Sequence, residues 1–272
     1  MQLNFEQIQQ FQQFIWQFYR DNGRPFSWRH VENPYHIFIS EVMLQQTQTY
    51  RVEKKFEEFL QVFPTVESLA RGSVRDLLMV WKGLGYNRRA LYLQKSAQKI
   101  VDEFGGKVPN DPAALITLPG IGKATAASIC AFAFNNPTVF IETNIRAVFI
   151  DSFFKGADEV NDNQLMPLIA QTVDQENPRE WYYALMDYGV HLKKLCPNPN
   201  KKSAHYTVQS KFEGSNRQIR GAILRLLLEH HQLTAQQISD LLQKDPNCVE
   251  AIIQTLIKDN FVKKNDNYIS LI

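Results

Sequence analysis

Glu41 stands in "ISEVMLQQTQ", among isoleucine, valine, methionine and leucine. An apolar setting disfavours a carboxylate and keeps a proton available, which a general acid working near neutral pH requires. A second carboxyl, Glu142 in "FIETNIRAVF", follows about a helix's length after "LPGIGKATAASI". In the latter string Gly120 and Gly122 permit a tight turn with positive φ and bare backbone, and a helix starts at once. Amide hydrogens converging on a helix N-terminus suit a phosphate oxygen, and Lys123 adds a full charge. Such a grip reads a nucleic-acid backbone and is blind to base sequence. Two carboxyls in unlike settings can divide acid and base work between them.

The elements that must position these residues are helical. Apolar residues recur at three- and four-residue intervals almost throughout, and period-two alternation is scarce before the last dozen residues. Turn signals divide the chain at 21–25, 31–34, 63–65, 82–87, 103–112, 118–122 and 134–137. Asp111 before Pro112, and Thr117 before the glycine turn, are candidate caps. The 272 residues suffice for a sizeable core, and 44% hydrophobic with 21% charged residues is an ordinary globular balance. No apolar run approaches the roughly 18–20 residues of a membrane span. The first twenty residues have helical spacing without the basic start, apolar stretch and cleavage site of a signal peptide, so a cytoplasmic protein with no membrane partner is expected.

Three scattered cysteines, Cys130, Cys196 and Cys248, build neither a disulfide framework nor a four-ligand metal or iron–sulfur site. Net charge is only +2, but its distribution is uneven. Residues 82–101 hold five basic side chains (Lys82, Arg88, Arg89, Lys95, Lys99) and no acid; residues 188–212 hold five lysines (Lys193, Lys194, Lys201, Lys202, Lys211) and no acid. Periodicity lapses around Pro197 and Pro199, then resumes in a tail of three helical segments followed by "FVKKNDNYISLI", two β-rich runs about an Asn-Asp-Asn turn. The pattern predicts a winged-helix-like domain. Its charge is nearly balanced, with seven basic and six acidic residues from Arg217 onward, which suits a packing role as well as a DNA contact.

"LPGIGKATAASI" resembles the helix-hairpin-helix motif of the endonuclease III superfamily of DNA glycosylases. "NPYHIFISEVMLQQTQTYRV" and "GLGYNRRALYL" narrow the likeness to its MutY branch, the adenine glycosylases, over about residues 24–189. The resemblance implies an all-α, two-lobed fold with a DNA cleft between the lobes. Its expected segments are an N-terminal helix (1–23) packing on the second lobe, a six-helix barrel with the hairpin (24–136), a second lobe (137–212) and the winged-helix-like domain (213–272). It assigns Glu41 to protonating adenine and aligns Glu142 with an aspartate that stays ionised beside the sugar. Asn144 matches an asparagine near the cleaved sugar. Gln45, Gln46 and Tyr86 match residues that wedge into the stack and read the orphaned base once its partner is flipped out. Gly120, Gly122, Lys123, Arg88, Lys193 and Lys194 are the expected contacts to DNA, and Trp28 and Arg29 in "FSWRH" the expected lining of the base pocket. Double-stranded DNA with a mismatch or an oxidised base is the implied partner, met by a monomer.

Four features qualify the likeness. Glu142 is one methylene longer than the aspartate it replaces, and a reacting group misplaced by ~1 Å can cost about 10²-fold. Ala124 stands where strand-nicking relatives carry a lysine, and Lys123 is turned roughly 100° away on a helix, so a monofunctional enzyme is expected. Of the four cluster cysteines that most relatives carry after "MDYG", only Cys196 is present, so no cofactor is expected. The tail is too short for the 8-oxoguanine-sensing domain of many adenine glycosylases. Besides adenine excision, two readings stay open: a glycosylase for thymine or uracil opposite G, and a lesion-binding protein whose Glu142 has silenced catalysis.

Overall fold

The computed structural model describes all residues, 1–272. Fourteen helices carry most of the chain. In order they are α1 (Phe5–Asn22), α2 (Pro34–Leu44), α3 (Thr49–Val62), α4 (Val66–Arg71), α5 (Val74–Trp81), α6 (Arg88–Phe104) and α7 (Pro112–Ile116). The series continues with α8 (Lys123–Phe134), α9 (Thr143–Phe153), α10 (Asp162–Thr172), α11 (Pro178–Leu195), α12 (Asn216–His230), α13 (Ala235–Leu242) and α14 (Pro246–Lys258). Three short strands, β1 (Gln232–Thr234), β2 (Val262–Asn265) and β3 (Tyr268–Leu271), lie in the tail. No helix is long and apolar enough to cross a membrane.

Helix ends follow local chemistry. Asn4, Thr65, Asn161 and Thr234 each open a helix with a reciprocal capping box. Asp111 caps α7, its Oδ2 accepting from Ala114 N at 2.9 Å, with Pro112 at the first helical position. Thr117 closes the other end of that helix, donating its hydroxyl to Ala114 O at 2.8 Å.

The chain forms two compact units. One joins residues 1–41 to 108–208, the other 42–107 to 209–272. In the first, the amphipathic face of α1 packs on α10 and α11. Phe11 meets Phe149, Phe153 and Trp181 with ring centroids 5.1–6.0 Å apart, and Phe132 stacks on Tyr183 at 4.5 Å. An ion-pair cluster lies in the same unit: Arg29 donates from both terminal nitrogens to the Asp187 carboxylate at 2.7 and 2.8 Å, and Arg24 Nε donates at 2.7 Å. Arg29 also covers the Tyr183 ring at 4.4 Å.

In the second unit Phe56, Phe59, Phe63, Leu69, Trp81 and Ile100 are buried. The tail has the order α12, β1, α13, α14, β2, β3, with the antiparallel sheet ordered β1-β3-β2. This is a winged helix. Strand β1 goes beyond the two β runs legible in the sequence, because three residues are too few for alternation to register. Its core is Ile223, Leu227, Ile238, Ile253, Leu256, Phe261 and Ile269. The tail docks on α5 through the C-terminal carbonyls of α12: Arg75 donates to Leu227 O and Leu228 O, a placement that suits the negative end of a helix.

Candidate active site

Both carboxyls of interest belong to the first unit. Glu41 is near the end of α2, and α8 supplies its partner: Ser128 Oγ donates to Glu41 Oε2 at 2.6 Å and shares its hydroxyl with Thr125 O. Burial is the main force on Glu41 and pushes its pKa up to about 7; the Glu142 charge adds to the rise, while the Ser128 hydrogen bond opposes it. Glu41 as a whole residue is half-buried.

Glu142 is the N-cap of α9. Its side chain folds back on its own helix: Oε1 accepts from Asn144 N at 2.7 Å and Ile145 N at 2.9 Å, and Oε2 accepts from Asn144 Nδ2 at 3.1 Å. Burial raises its pKa, and these N–H donors together with the Lys193 charge pull the other way. The extra methylene of glutamate is therefore absorbed by curling the carboxylate over the helix N-terminus, where the dipole favours a negative charge. Asn144 is fixed in turn, since its Oδ1 accepts from Lys193 Nζ at 2.6 Å.

Close approach of α11 makes this possible. A Cβ on Gly189 would lie 2.5 Å from Asn144 O and 2.8 Å from Asn144 Cβ. Gly189→Ala is expected to force the first turn of α9 away and to destabilise the protein by about 1–3 kcal/mol, as overpacking does, measured by urea unfolding.

The glycine turn before α8 behaves differently at its two glycines. Gly120 has φ of 77°, the left-handed region that favours glycine. Gly122 does not use positive φ; at φ −87° and ψ 172° it is the extended N-cap, with nothing within 4 Å of where a Cβ would point. Lys123 and Ala124 follow on the exposed surface, so bare backbone, a helix N-terminus and an ammonium group come together there.

Trp28 and Arg29 form a buried 3-10 turn, Ser27–His30, with Phe26 stacked on Trp28 at 4.6 Å. Arg29 is committed to Asp187 there, and Glu41 and Arg29 both act electrostatically on Tyr183.

A second group of expected residues gathers in the other unit. Gln45 and Gln46 form the turn after α2, with Gln46 exposed at φ 54°. Tyr86 in the "GLGYN" turn has φ 47° and is also exposed. Arg89 ties the two turns together. Its guanidinium donates to Val42 O (2.8 Å), Met43 O (2.9 Å), Thr47 Oγ1 (2.8 Å) and the carbonyls of Leu84 (3.3 Å) and Gly85 (3.2 Å). In the sequence Arg89 is only one member of a basic run. The Tyr86 hydroxyl accepts from Arg217 at 3.0 Å and from Gln209 Nε2. Arg88 pairs with Asp259 at the end of α14, which Arg220 also contacts at 2.8 Å, so its charge is already matched within the unit. Lys194 and Lys201 are exposed, whereas Lys193 is half-buried.

A four-thiolate iron–sulfur cluster does not fit these residues. Cys130 is buried in α8, where burial pushes its thiol up to about 11; Cys196 follows α11; Cys248 is on α14 in the other unit. No group of three or more His, Cys, Asp or Glu is placed to hold a metal ion. The segment after α11 is tied down by other means. Asn200 Nδ2 donates to Thr143 O at 3.0 Å, and Val160 and Ala204 amides join a parallel bridge between Val160 and Ser203.

Known proteins resemble this chain in sequence and fold. Residues 39–169 match the family described as HhH-GPD superfamily base excision DNA repair protein. The chain is 34% identical over 197 residues to an adenine DNA glycosylase of Buchnera aphidicola subsp. Baizongia pistaciae, covering 71% of this chain and 54% of that protein. It thus spans about half the length of that relative. An adenine DNA glycosylase of Mycolicibacterium smegmatis is 28% identical, covering 89% of this chain and 88% of that one. Among solved structures, a thermostable thymine-DNA glycosylase superposes with a TM-score of 0.63 at 27% identity, covering 72% of this chain and 98% of that one. An endonuclease III–DNA complex, at 19% identity and a TM-score of 0.58, shares the fold. A glycine turn opening α8, an acid on α2 held from that same helix, and a carboxylate capping α9 all fall inside the matched span, and the chain belongs to the HhH-GPD superfamily of base excision DNA repair proteins.

Proposed function

We propose that the chain is a monofunctional DNA glycosylase that hydrolyses the N-glycosidic bond of adenine mispaired with G or 8-oxoguanine. The observation that carries this reading is the division of labour between two carboxyls. Glu41 is buried enough to hold a proton near pH 7, while Glu142 accepts three N–H bonds on a helix N-terminus beside a lysine. Glu41 donates its proton to the base, which leaves with the bonding electrons. Glu142 stabilises the sugar cation and orients the water that adds to it; the proton this water loses replaces the one that Glu41 gave to the base. The Gly120–Gly122 turn and Lys123 hold a DNA phosphate, as do the exposed Lys194 and Lys201. Gln45, Gln46 and Tyr86 enter the stack at the flipped nucleotide. Ala124 leaves no amine two residues past Gly122 for strand nicking. The adenine glycosylases among the relatives support the choice of base.

A second reading, thymine or uracil opposite G, is favoured by the likeness to the thymine-DNA glycosylase structure. Single-turnover reactions on duplexes with A opposite 8-oxoguanine, A opposite G, and T or U opposite G, followed by alkaline cleavage of abasic sites, separate the two. In the same assay Glu142→Asp is expected within about tenfold of wild type, and Glu142→Gln slower by at least about 10²-fold. Cleavage by the aspartate variant alone would instead mark Glu142 as an off switch, and the chain as a protein that binds lesions without excising them.

A further inference from the structure

We propose that Lys193 is the counter-charge that holds Glu142 in its ionised form, acting through Asn144, and is not a contact for DNA phosphate. The inference deepens the glycosylase reading and rests on its assignment of Glu142 as the ionised carboxylate. Three observations carry it. First, Lys193 lies one helical turn after Gly189, the residue at which α11 meets the backbone of Asn144. Its stem therefore runs along the N-terminus of α9.

Second, the contacts form an ordered relay. The ammonium donates to Asn144 Oδ1 at 2.6 Å, and the Asn144 amide nitrogen donates to Glu142 Oε2 at 3.1 Å. Only one orientation of the amide satisfies both ends, with its oxygen toward the cation and its nitrogen toward the carboxylate. A cation, an oriented dipole and an anion in this order reinforce each other.

Third, Lys193 is half-buried while Lys194, next in sequence, is exposed. Burial disfavours the Lys193 ammonium, and the Glu142 charge is what favours it. The charged groups acting on this pair are few. The Glu142 charge raises the proton affinity of Glu41, and Arg24, the other cation acting on Lys193, is engaged by Asp187. Lys193 is thus the cation acting on Glu142, and it opposes the burial that pushes this carboxyl toward protonation. Lys193 is a positioning residue by this account, since it reaches the reacting sugar only through Asn144 and Glu142.

The test compares Lys193→Gln, Lys193→Arg and, as a phosphate-contact control, Lys194→Gln. Removing the cation disfavours the ionised carboxylate, so the pKa of Glu142 rises. In Lys193→Gln the acidic limb of the single-turnover pH–rate profile is expected to move up by about one pH unit, a fall of about tenfold in rate on that limb. The alkaline limb, set by Glu41, stays in place, and affinity for a non-cleavable duplex stays within about twofold. Lys193→Arg restores the limb. In the DNA-free protein, a ¹³C titration of the glutamate carboxyls is expected to show the same upward shift for Glu142. An unmoved acidic limb and titration overturn the proposal, whether or not DNA affinity and its salt slope fall as they should in Lys194→Gln. Should Lys193→Gln unfold, Lys193→Met keeps the length of the stem and repeats the comparison. If wild type excises no base, the glycosylase reading fails while the carboxyl titration still decides the role of Lys193.

Discussion

Glu41→Gln is expected to bind mismatched duplex as wild type does and to release its base about 10³-fold more slowly, within the range that general-acid catalysis supplies. Glutamine keeps the shape of the side chain and can still accept from Ser128 Oγ, so the fold and the α2–α8 contact survive. What it lacks is a proton to give. The pH dependence follows from the same environment. Burial, and then the Glu142 charge, push Glu41 up to about 7, so the acid form is complete below that value and is lost as pH rises through it. The wild-type rate should therefore fall on the alkaline side of about 7, tenfold per pH unit. Ser128→Ala removes the hydrogen bond that favours the carboxylate, and the alkaline limb should move to higher pH. Single-turnover rates from pH 5 to 9, with gel-shift affinities for each variant, check both. A Glu41→Gln protein as fast as wild type would remove the acid from the mechanism, and a limb that moves down in Ser128→Ala would reverse the assigned electrostatics.

The parts of the site legible in the sequence are those carried by a contiguous string. Glu41 among apolar residues, the glycines before α8, and an acid at the start of the next helix can each be read from ten or so neighbouring residues. Helical periodicity likewise placed the turns, because a face that must be buried leaves its period in the sequence. What the string does not contain is long-range contact. Ser128 is 87 positions from Glu41, and Lys193 is 49 from Asn144. Nothing local distinguishes that serine from any other helical serine, or Lys193 from Lys194.

Arg88 and Arg89 show the limit most clearly. They are adjacent and identical in type, and belong to one acid-free run. On a helix their side chains diverge by about 100°. One turns to Asp259 of the tail, while the other turns to the carbonyls that close α2 and the "GLGYN" loop. Burial depresses Arg89 to about 10, and its five acceptors offset the cost of enclosing the charge. A count of basic residues treats both as a surface charge. The burial pattern, which depends on what packs against the helix, gives one a tethering role between the turns that carry Gln46 and Tyr86 and the other a link to the winged helix.

The largest stability effect belongs to a residue that the chemistry does not use. Asp187 is almost wholly buried on α11, and two guanidiniums depend on it: Arg29, itself with 4% of its side chain exposed, and Arg24, with 28%. The cluster joins the segment before α2 to α11 across more than 150 residues of sequence. Asp187→Asn keeps the size of the side chain and removes the charge, leaving Arg29 buried without a counter-ion. Breaking a buried pair from one side costs about 3–5 kcal/mol, so the melting transition of this unit is expected to fall by on the order of 10 °C. The pairing holds the Asp187 carboxyl below its ordinary range, and the sign of the pH effect follows. A depressed folded-state pKa contributes stability that is complete above the unfolded value near 4 and is lost as pH falls through the folded value. The difference between wild type and Asp187→Asn should accordingly be constant through neutral pH and shrink only in acid, as thermal melts from pH 3 to 8 would record. A double variant, Arg29→Met with Asp187→Leu, replaces the central pair by apolar groups and is expected to recover much of the loss, because the cost lies in the orphaned charge and not in the absence of a salt bridge. No recovery would mean that the bidentate geometry of Arg29 and Asp187 itself fixes how the segment before α2 enters the core.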